Sequence, residues 1–247
     1  MNYPRFVLFT ATLSLFTACT KVSPPVHDQP LVPSPEASVV PDNTVLPLQS
    51  PTPEVTPFVT SIPKSSPKTV AVGTRVSISS LPSSFHSDDE RALSTIDTIV
   101  IHSLYNPKYP ADLSITHAKE VLDESEVSSH FVIARDGKVF QLVSEKYQAW
   151  HAGESAMPSP DNRTKINSFS IGIELIGTES SGFTTAQYDS SAKLTADLMD
   201  KLPITKITGH SDIAPGRKTD PWNFQWKNFE TLLKVQTTKS FTILRVS

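Results

Sequence analysis

The prolines and glycines of this chain are distributed in a way that confines folding to its second part. Of 21 prolines in 247 residues, 12 fall between Thr20 and Lys68, and the first of the 8 glycines is Gly73. Residues 20–68 contain one aromatic residue, Phe58, and are otherwise rich in Pro, Ser, Val and Thr. Such a segment cannot bury enough apolar surface to offset its ordering entropy, so residues 19–68 are expected to form a disordered, partly polyproline II tether. Fifty residues of this kind reach ~40 Å as flexible coil and up to ~150 Å when extended. A cleaved pro-segment is the alternative. Residues 69–247 remain, and about 180 residues suffice for one domain with a sizeable core.

What precedes the tether has the features of an export signal. Arg5 and the α-amino group supply positive charge, and Phe6–Phe16 is a mostly apolar run without charge, too short to span a bilayer. The stretch Leu15-Phe16-Thr17-Ala18-Cys19 resembles a bacterial lipobox, with residues 1–18 as signal peptide and Cys19 as the acylated mature N-terminus. An ordinary signal peptide with an incidental cysteine is the alternative. Cys19 is the one cysteine of the chain, which excludes an internal disulfide and any cysteine-ligated metal in the folded domain. Thr20 stands where an aspartate would retain a lipoprotein in the inner membrane. An envelope with two membranes would therefore carry this chain on the outer one, facing the periplasm.

Charge argues against nucleic acid as a partner. The chain carries 22 Lys+Arg against 25 Asp+Glu, with no basic run. Apolar periodicity then sketches the domain. Ile99–Ile101 reads as a buried strand, Ser114–Ser125 as a helix, and His130–Val143 as a hairpin turning at Asp136-Gly137. Phe169–Ile176 alternates with Ile171, Ile173 and Leu175 on one face. A helix over Thr184–Leu202, a strand over Ile204–Thr208 and a helix over Trp222–Val235 complete the sequence. Strands interleaved with helices predict an α/β fold, a single domain with a central mixed β-sheet flanked by helices.

Three polar features stand out against this frame. His102 follows the apolar run 99–101. Gly209-His210 follows the strand 204–208, and Asp220 comes ten residues after His210. Two imidazoles and a carboxylate suffice to hold a catalytic zinc with an open fourth position, and the intervening loop is long enough to fold Asp220 back beside His210. Glu174 shares its strand face with Ser170 and Gly172. It is either a solvated residue on an edge strand or a carboxylate over a floor of small residues, able to take a proton from water.

Residues 95–226 resemble the type 2 N-acetylmuramoyl-L-alanine amidases, whose fold is shared with peptidoglycan-recognition proteins and phage amidases. The resemblance rests on Ile99–His102, on His130–Ile133 with Asp136-Gly137, and on Ala149-Trp150-His151-Ala152-Gly153. It continues through Asn167–Leu175 and Gly209–Pro221, all five blocks in the family's order. It implies Zn2+ bound by His102, His210 and Asp220, with Glu174 as general base or water-orienting residue and Lys218 as the stabiliser of the oxyanion. Trp150, His151 and Asn167 match positions lining a substrate groove, with a structural role open for His151. His130 is read as structural and His117 as a surface helix residue. The implied reaction is hydrolysis of the amide between N-acetylmuramic acid and L-alanine in peptidoglycan or muropeptides. Trp222 departs from the pattern, since glycine often follows the Asp-Pro pair.

Two rivals are distinguishable by measurement. A binding-only recognition protein of this fold would lack the metal. A serine enzyme of the penicillin-binding type could use Ser190-Ser191-Ala192-Lys193, which matches S-x-x-K on a helix but lacks its companion motifs.

Overall fold

The apolar runs become strands and helices in a computed structural model that describes residues 75–246. The expected signal peptide (1–18), Cys19 with its tether (19–68) and residues 69–74 lie outside the described residues. In chain order the elements are β1 (Ile78–Ser80), β2 (Thr98–Leu104), α1 (Ile115–Glu124), β3 (Phe131–Ile133) and β4 (Val139–Gln141). They continue with β5 (Ser170–Ile176), α2 (Thr185–Lys201), β6 (Lys206–Gly209), α3 (His210–Ile213), α4 (Trp226–Gln236) and β7 (Thr242–Leu244).

The strands form one sheet in the order β1-β4-β3-β5-β2-β6-β7. Only the hairpin pair β3–β4 is antiparallel; all other neighbours run parallel, so the sheet is mixed, as expected. Every residue of β5 is buried, and β2 is buried up to Ser103. Burial on both faces is what an α/β sheet requires of its central strands. It removes the edge-strand alternative for Glu174.

The two faces differ in kind. On one, Ile99, Ile101, Ile171, Ile173 and Leu175 pack against Tyr188, Ala192 and Leu198 of α2 and against Phe229 and Leu233 of α4. The other face carries two smaller clusters. Val132 and Ile176 meet Ala118 and Leu122 of α1. Val100 meets Ala152, Met157, Ile166 and Ile213. His102 and Glu174 belong to neither.

Local chemistry sets the ends of the elements. Ser114 caps α1 by accepting from His117 N–H. Thr184 and Gln187 form a reciprocal capping box on α2, and the buried Gln187 amide also donates to the carbonyls of Ile133 and Ile176. The start of α2 is thereby fastened to the ends of β3 and β5. In the hairpin, Gly137 has φ 85°, and Asp136 accepts from Lys138 N–H.

Three boundaries differ from the sequence expectation. β2 continues past Ile101 to Leu104 because β5 offers partners as far as Ile176, which puts His102 inside the strand. β6 starts at Lys206, after both Thr205 N–H and Lys206 N–H have donated to the Asp97 carbonyl. α4 starts at Trp226 rather than Trp222, since Asn223 has φ 54° and cannot sit in a right-handed helix. Strands β1 and β7 had no expectation at all. Each is three residues long; β1 is exposed throughout and β7 only partly covered, so neither shows apolar alternation.

A four-charge cluster ties the loop before β5 to the starts of β2 and β6. Arg163 bridges Asp97 (2.9 Å) and Asp161 (2.6 Å), and Lys206 bridges the same carboxylates at 3.1 and 2.8 Å. Hydrogen bonding from Arg163, then from Lys206 against a burial penalty, holds the Asp161 carboxyl well below its usual range. A carboxyl whose folded pKa is depressed stabilises the fold above its unfolded value of about 3.9, and that contribution fades as pH falls toward the folded value. Asp161→Asn is therefore expected to be less stable than the parent at pH 7, with the gap closing below about pH 4. Urea midpoints across that pH range measure this, and a gap that stayed constant would refute the assignment.

Candidate metal centre

Parallel pairing of β2 with β5 sets His102 level with Glu174, side by side on the face between the two smaller apolar clusters. His210 reaches the same place from β6. Gly209 ends that strand and α3 begins at His210, anchored where Asp212 accepts from Gly209 N–H and pairs with Arg245. The chain then loops back: Arg217 N–H and Lys218 N–H donate to Ala214 O, and Ser211 N–H donates to Asp220 O at 2.7 Å. That last bond seats Asp220 beside His210.

The three side chains converge. His102 Nδ1 lies 3.0 Å from His210 Nδ1 and 3.4 Å from Asp220 Oδ2, and His210 Nδ1 lies 3.2 Å from the same oxygen. All three residues are buried, and their candidate ligand atoms fall within 4.8 Å of one another. Burial, followed by the neighbouring His210, pushes His102 down to about 4, so its imidazole is neutral at pH 7. Burial works to raise the Asp220 carboxyl, but contacts with His102 and His210 outweigh it and keep the group ionised. His210 Nε2 is 3.3 Å from the Ala152 carbonyl, an acceptor only, so its proton belongs there and its Nδ1 lone pair faces inward. Electron-pair donors crowded together in this way suit a cation, and the group could hold a metal ion.

Glu174 is 6% exposed, with Oε1 4.0 Å from His102 Nδ1. Its other oxygen is buried without a hydrogen-bond partner. Burial, then the charge of Asp220, pushes the carboxyl well above its ordinary range, with Lys218 opposing. Above these groups opens a groove of about 510 Å³ lined by Tyr105, Val127 and Trp222 and by the cations Arg217 and Lys218.

The remaining sequence candidates take varied positions. Lys218 is exposed on the groove wall. His151 lines the groove floor at 7% exposure, its Nδ1 3.0 Å from His102 Nε2. Trp150 is 42% exposed and Asn167 half-buried, and neither is among the residues lining the groove. The Asn167 side-chain oxygen Oδ1 instead accepts from Ala152 N–H at 2.9 Å, holding the segment that carries His151. His130 is fully buried and accepts from Gly172 N–H, a structural arrangement. His117 stays on α1 between Asp112 and Glu120. Ser190 donates to the Gly137 carbonyl at the hairpin turn and, like Lys193, does not line the groove. Trp222, expected in a helix, is a loop residue whose ring meets Tyr105 edge-on at 5.6 Å.

Two arginines escaped the sequence reading. Arg217 donates to the Ala152 carbonyl at 2.9 Å, sharing that acceptor with His210, and stands inside the Gly209–Pro221 block that carries the family resemblance. Arg91 has no such flag. Its guanidinium donates to the carbonyls of Glu145 (2.9 Å), Asn167 (2.7 Å) and Ser170 (2.8 Å), and burial pulls it down to about 10 with Glu145 opposing.

Comparison with known proteins gives this arrangement a family. Residues 92–223 match the model described as N-acetylmuramoyl-L-alanine amidase. The 1,6-anhydro-N-acetylmuramyl-L-alanine amidase AmpD of Escherichia coli (strain K12) is 41% identical over 146 residues, covering 58% of this chain and 74% of AmpD. The N-acetylmuramoyl-L-alanine amidase AmiD of the same organism is 34% identical over 157 residues, 56% of this chain and 53% of AmiD. A crystal structure of a selenomethionine derivative of AmpD superposes with a TM-score of 0.51 at 33% identity, covering 66% of this chain and 98% of that one. The chain belongs to the N-acetylmuramoyl-L-alanine amidase family and is an enzyme of that kind.

Arg91 gives a direct test of how the floor of this site is held. Arg91→Met keeps the bulk but leaves three carbonyls without their donor, at about 1–3 kcal/mol for each one that water cannot reach. A loss of about 3 kcal/mol or more is expected, read as a lower urea midpoint at unchanged m-value. A change below about 1 kcal/mol would show that water replaces the guanidinium.

Proposed function

We propose that this chain is a zinc-dependent amidase cleaving the bond between the lactyl group of N-acetylmuramic acid and L-alanine, in peptidoglycan or its muropeptide fragments. One observation carries the proposal: His102, His210 and Asp220 converge within 4.8 Å beside an unpartnered carboxylate oxygen of Glu174 on the floor of a groove. AmpD and AmiD differ in whether their names specify an anhydro sugar. The muramoyl–L-alanine amide is common to both, and it is that bond we assign.

His102, His210 and Asp220 would hold the metal, and the donor set fits zinc: neutral imidazole, an ionised carboxylate and no thiolate. Bound there, zinc supplies a Lewis acid that acidifies water and polarises the scissile carbonyl. Glu174 takes the proton of the attacking water and delivers it to the departing amine nitrogen. Its raised pKa is in the direction that a group acting first as base and then as acid near neutral pH requires. Lys218, on the groove wall, presents its ammonium to the carbonyl oxygen as negative charge develops.

Where the enzyme works is part of the proposal. The lipobox-like run ending in Cys19, followed by a proline-rich stretch, supports a lipid anchor, with Thr20 favouring an outer membrane. Among the described residues no helix is long and apolar enough to cross a membrane. Cys19→Ala should abolish labelling by radioactive fatty acid and leave an uncleaved or soluble form. Wild-type chain that is wholly soluble and unlabelled would refute the anchor.

Chelation should abolish amide cleavage and zinc should restore it, with cleavage read by mass spectrometry of muropeptide products. Glu174→Gln should keep near-stoichiometric zinc and lose about 10²–10⁴-fold in kcat, and Lys218→Ala about 10²–10³-fold, with little change in KM. Full activity in metal-free protein would overturn the zinc mechanism. Loss of zinc from Glu174→Gln would instead move Glu174 into the metal shell.

A further inference from the structure

We infer that His151 and Ser170 are positioning residues: together they form a directed run of hydrogen bonds that holds His102 with its proton on Nε2 and its Nδ1 lone pair aimed at the metal centre. The metal arm of this inference rests on the zinc reading above; the proton positions do not.

The direction of the run follows from one carbonyl. Ser170 Oγ lies 2.7 Å from Ile166 O, which can only accept, so the single hydroxyl proton points there. Toward His151 the Ser170 oxygen must then act as acceptor, and it lies 3.2 Å from His151 Nε2. That nitrogen carries the His151 proton. His151 Nδ1 is left with its lone pair, 3.0 Å from His102 Nε2, which must donate. His102 Nδ1 is consequently bare, and it faces His210 Nδ1 and Asp220 Oδ2. Each link pairs one donor with one acceptor.

The sheet is built to admit this run. A Cβ at Gly172 would come within 2.6 Å of His151 Cγ and 2.7 Å of Ser129 Oγ, so the imidazole occupies the space that a side chain on β5 would fill. The ring stands edge-on to His102, with centroids 5.1 Å apart. Asn167 and Arg217 hold the segment from either side through Ala152, binding its N–H and its carbonyl respectively. Outer partners of this kind fix the tautomer and orientation of a ligand histidine, and losing one typically costs 10–100-fold in metal affinity.

Two measurements on the full chain test this. In the metal-free protein, ring ¹⁵N shifts of labelled histidines should show both His102 and His151 protonated on Nε2 and not on Nδ1. A proton on His102 Nδ1 would overturn the inference whether or not zinc binds. Zinc affinity, by competition with a chromophoric chelator, should fall about 10–100-fold in His151→Leu. His151→Asn places its carbonyl oxygen where Nδ1 stood, so it should stay within about three-fold of the parent, although leucine is the better filler of an apolar space. Ser170→Ala, which strips the acceptor from His151 Nε2, should lose about ten-fold. Full zinc affinity in a folded His151→Leu, or equal losses in the Leu and Asn variants, would overturn it. Should His151→Leu fail to fold, the Asn and Ser170→Ala affinities and the parent's ¹⁵N shifts still decide. A parent that binds no zinc would refute the metal reading alone, with the tautomers still deciding the proton run.

Discussion

Everything at the candidate site depends on the register between β2 and β5. Seven successive pairings, from Thr98 with Ser170 to Leu104 with Ile176, hold two central strands in step. Because side chains alternate across a sheet, a slip of one residue by either strand would send its polar residue, His102 or Glu174, into the apolar layer under α2 and α4. The isoleucines and the leucine of the opposite face oppose that slip, since it would carry Ile99 and Ile101 of β2, or Ile171, Ile173 and Leu175 of β5, away from their contacts. Apolar packing on one side of the sheet thus fixes polar geometry on the other.

The polar side is costly to assemble. A carboxylate with an unpartnered oxygen, three imidazoles and a second carboxylate share a buried region, which a core selected for stability alone would fill with aliphatic carbon. The surroundings compensate with rigidity. Asp212 fixes α3, and the Ser211–Asp220 bond closes the return loop. Arg91 gathers the carbonyls of Glu145, Asn167 and Ser170 beneath the site. These are backbone-directed contacts, so they constrain where the chain runs and leave the site's own side chains free for chemistry.

Much of this was legible in the sequence, for reasons that can be named. The long helices and the strands β2 and β5 announce themselves through apolar periodicity, and the hairpin through Asp136-Gly137. His102 and His210 stand out as polar residues directly after apolar strand runs, and Asp220 as a carboxylate a short loop later; the three do meet. Glu174 was ambiguous because alternation looks the same on an edge strand and on one face of a central strand; only the strand order decides, and no local pattern encodes it. Asn167 matched a groove position, yet its amide is engaged with Ala152, a long-range contact that a motif does not reveal. Arg91 left no trace at all: a single arginine in a polar stretch looks like surface, and its burial follows from three carbonyls contributed by segments 54 to 79 residues away.

Gly172 and His151 are separated by a loop, yet the space that one leaves the other fills. A side chain at 172 and an imidazole at 151 therefore exclude one another. A chain that acquires a side chain at 172 must give up the ring at 151, and a chain that shrinks 151 leaves a void over β5 that a larger residue at 172 would repair. In a lineage of such proteins the two positions should drift as one heritable unit, the glycine recording in the sheet what the histidine does above it.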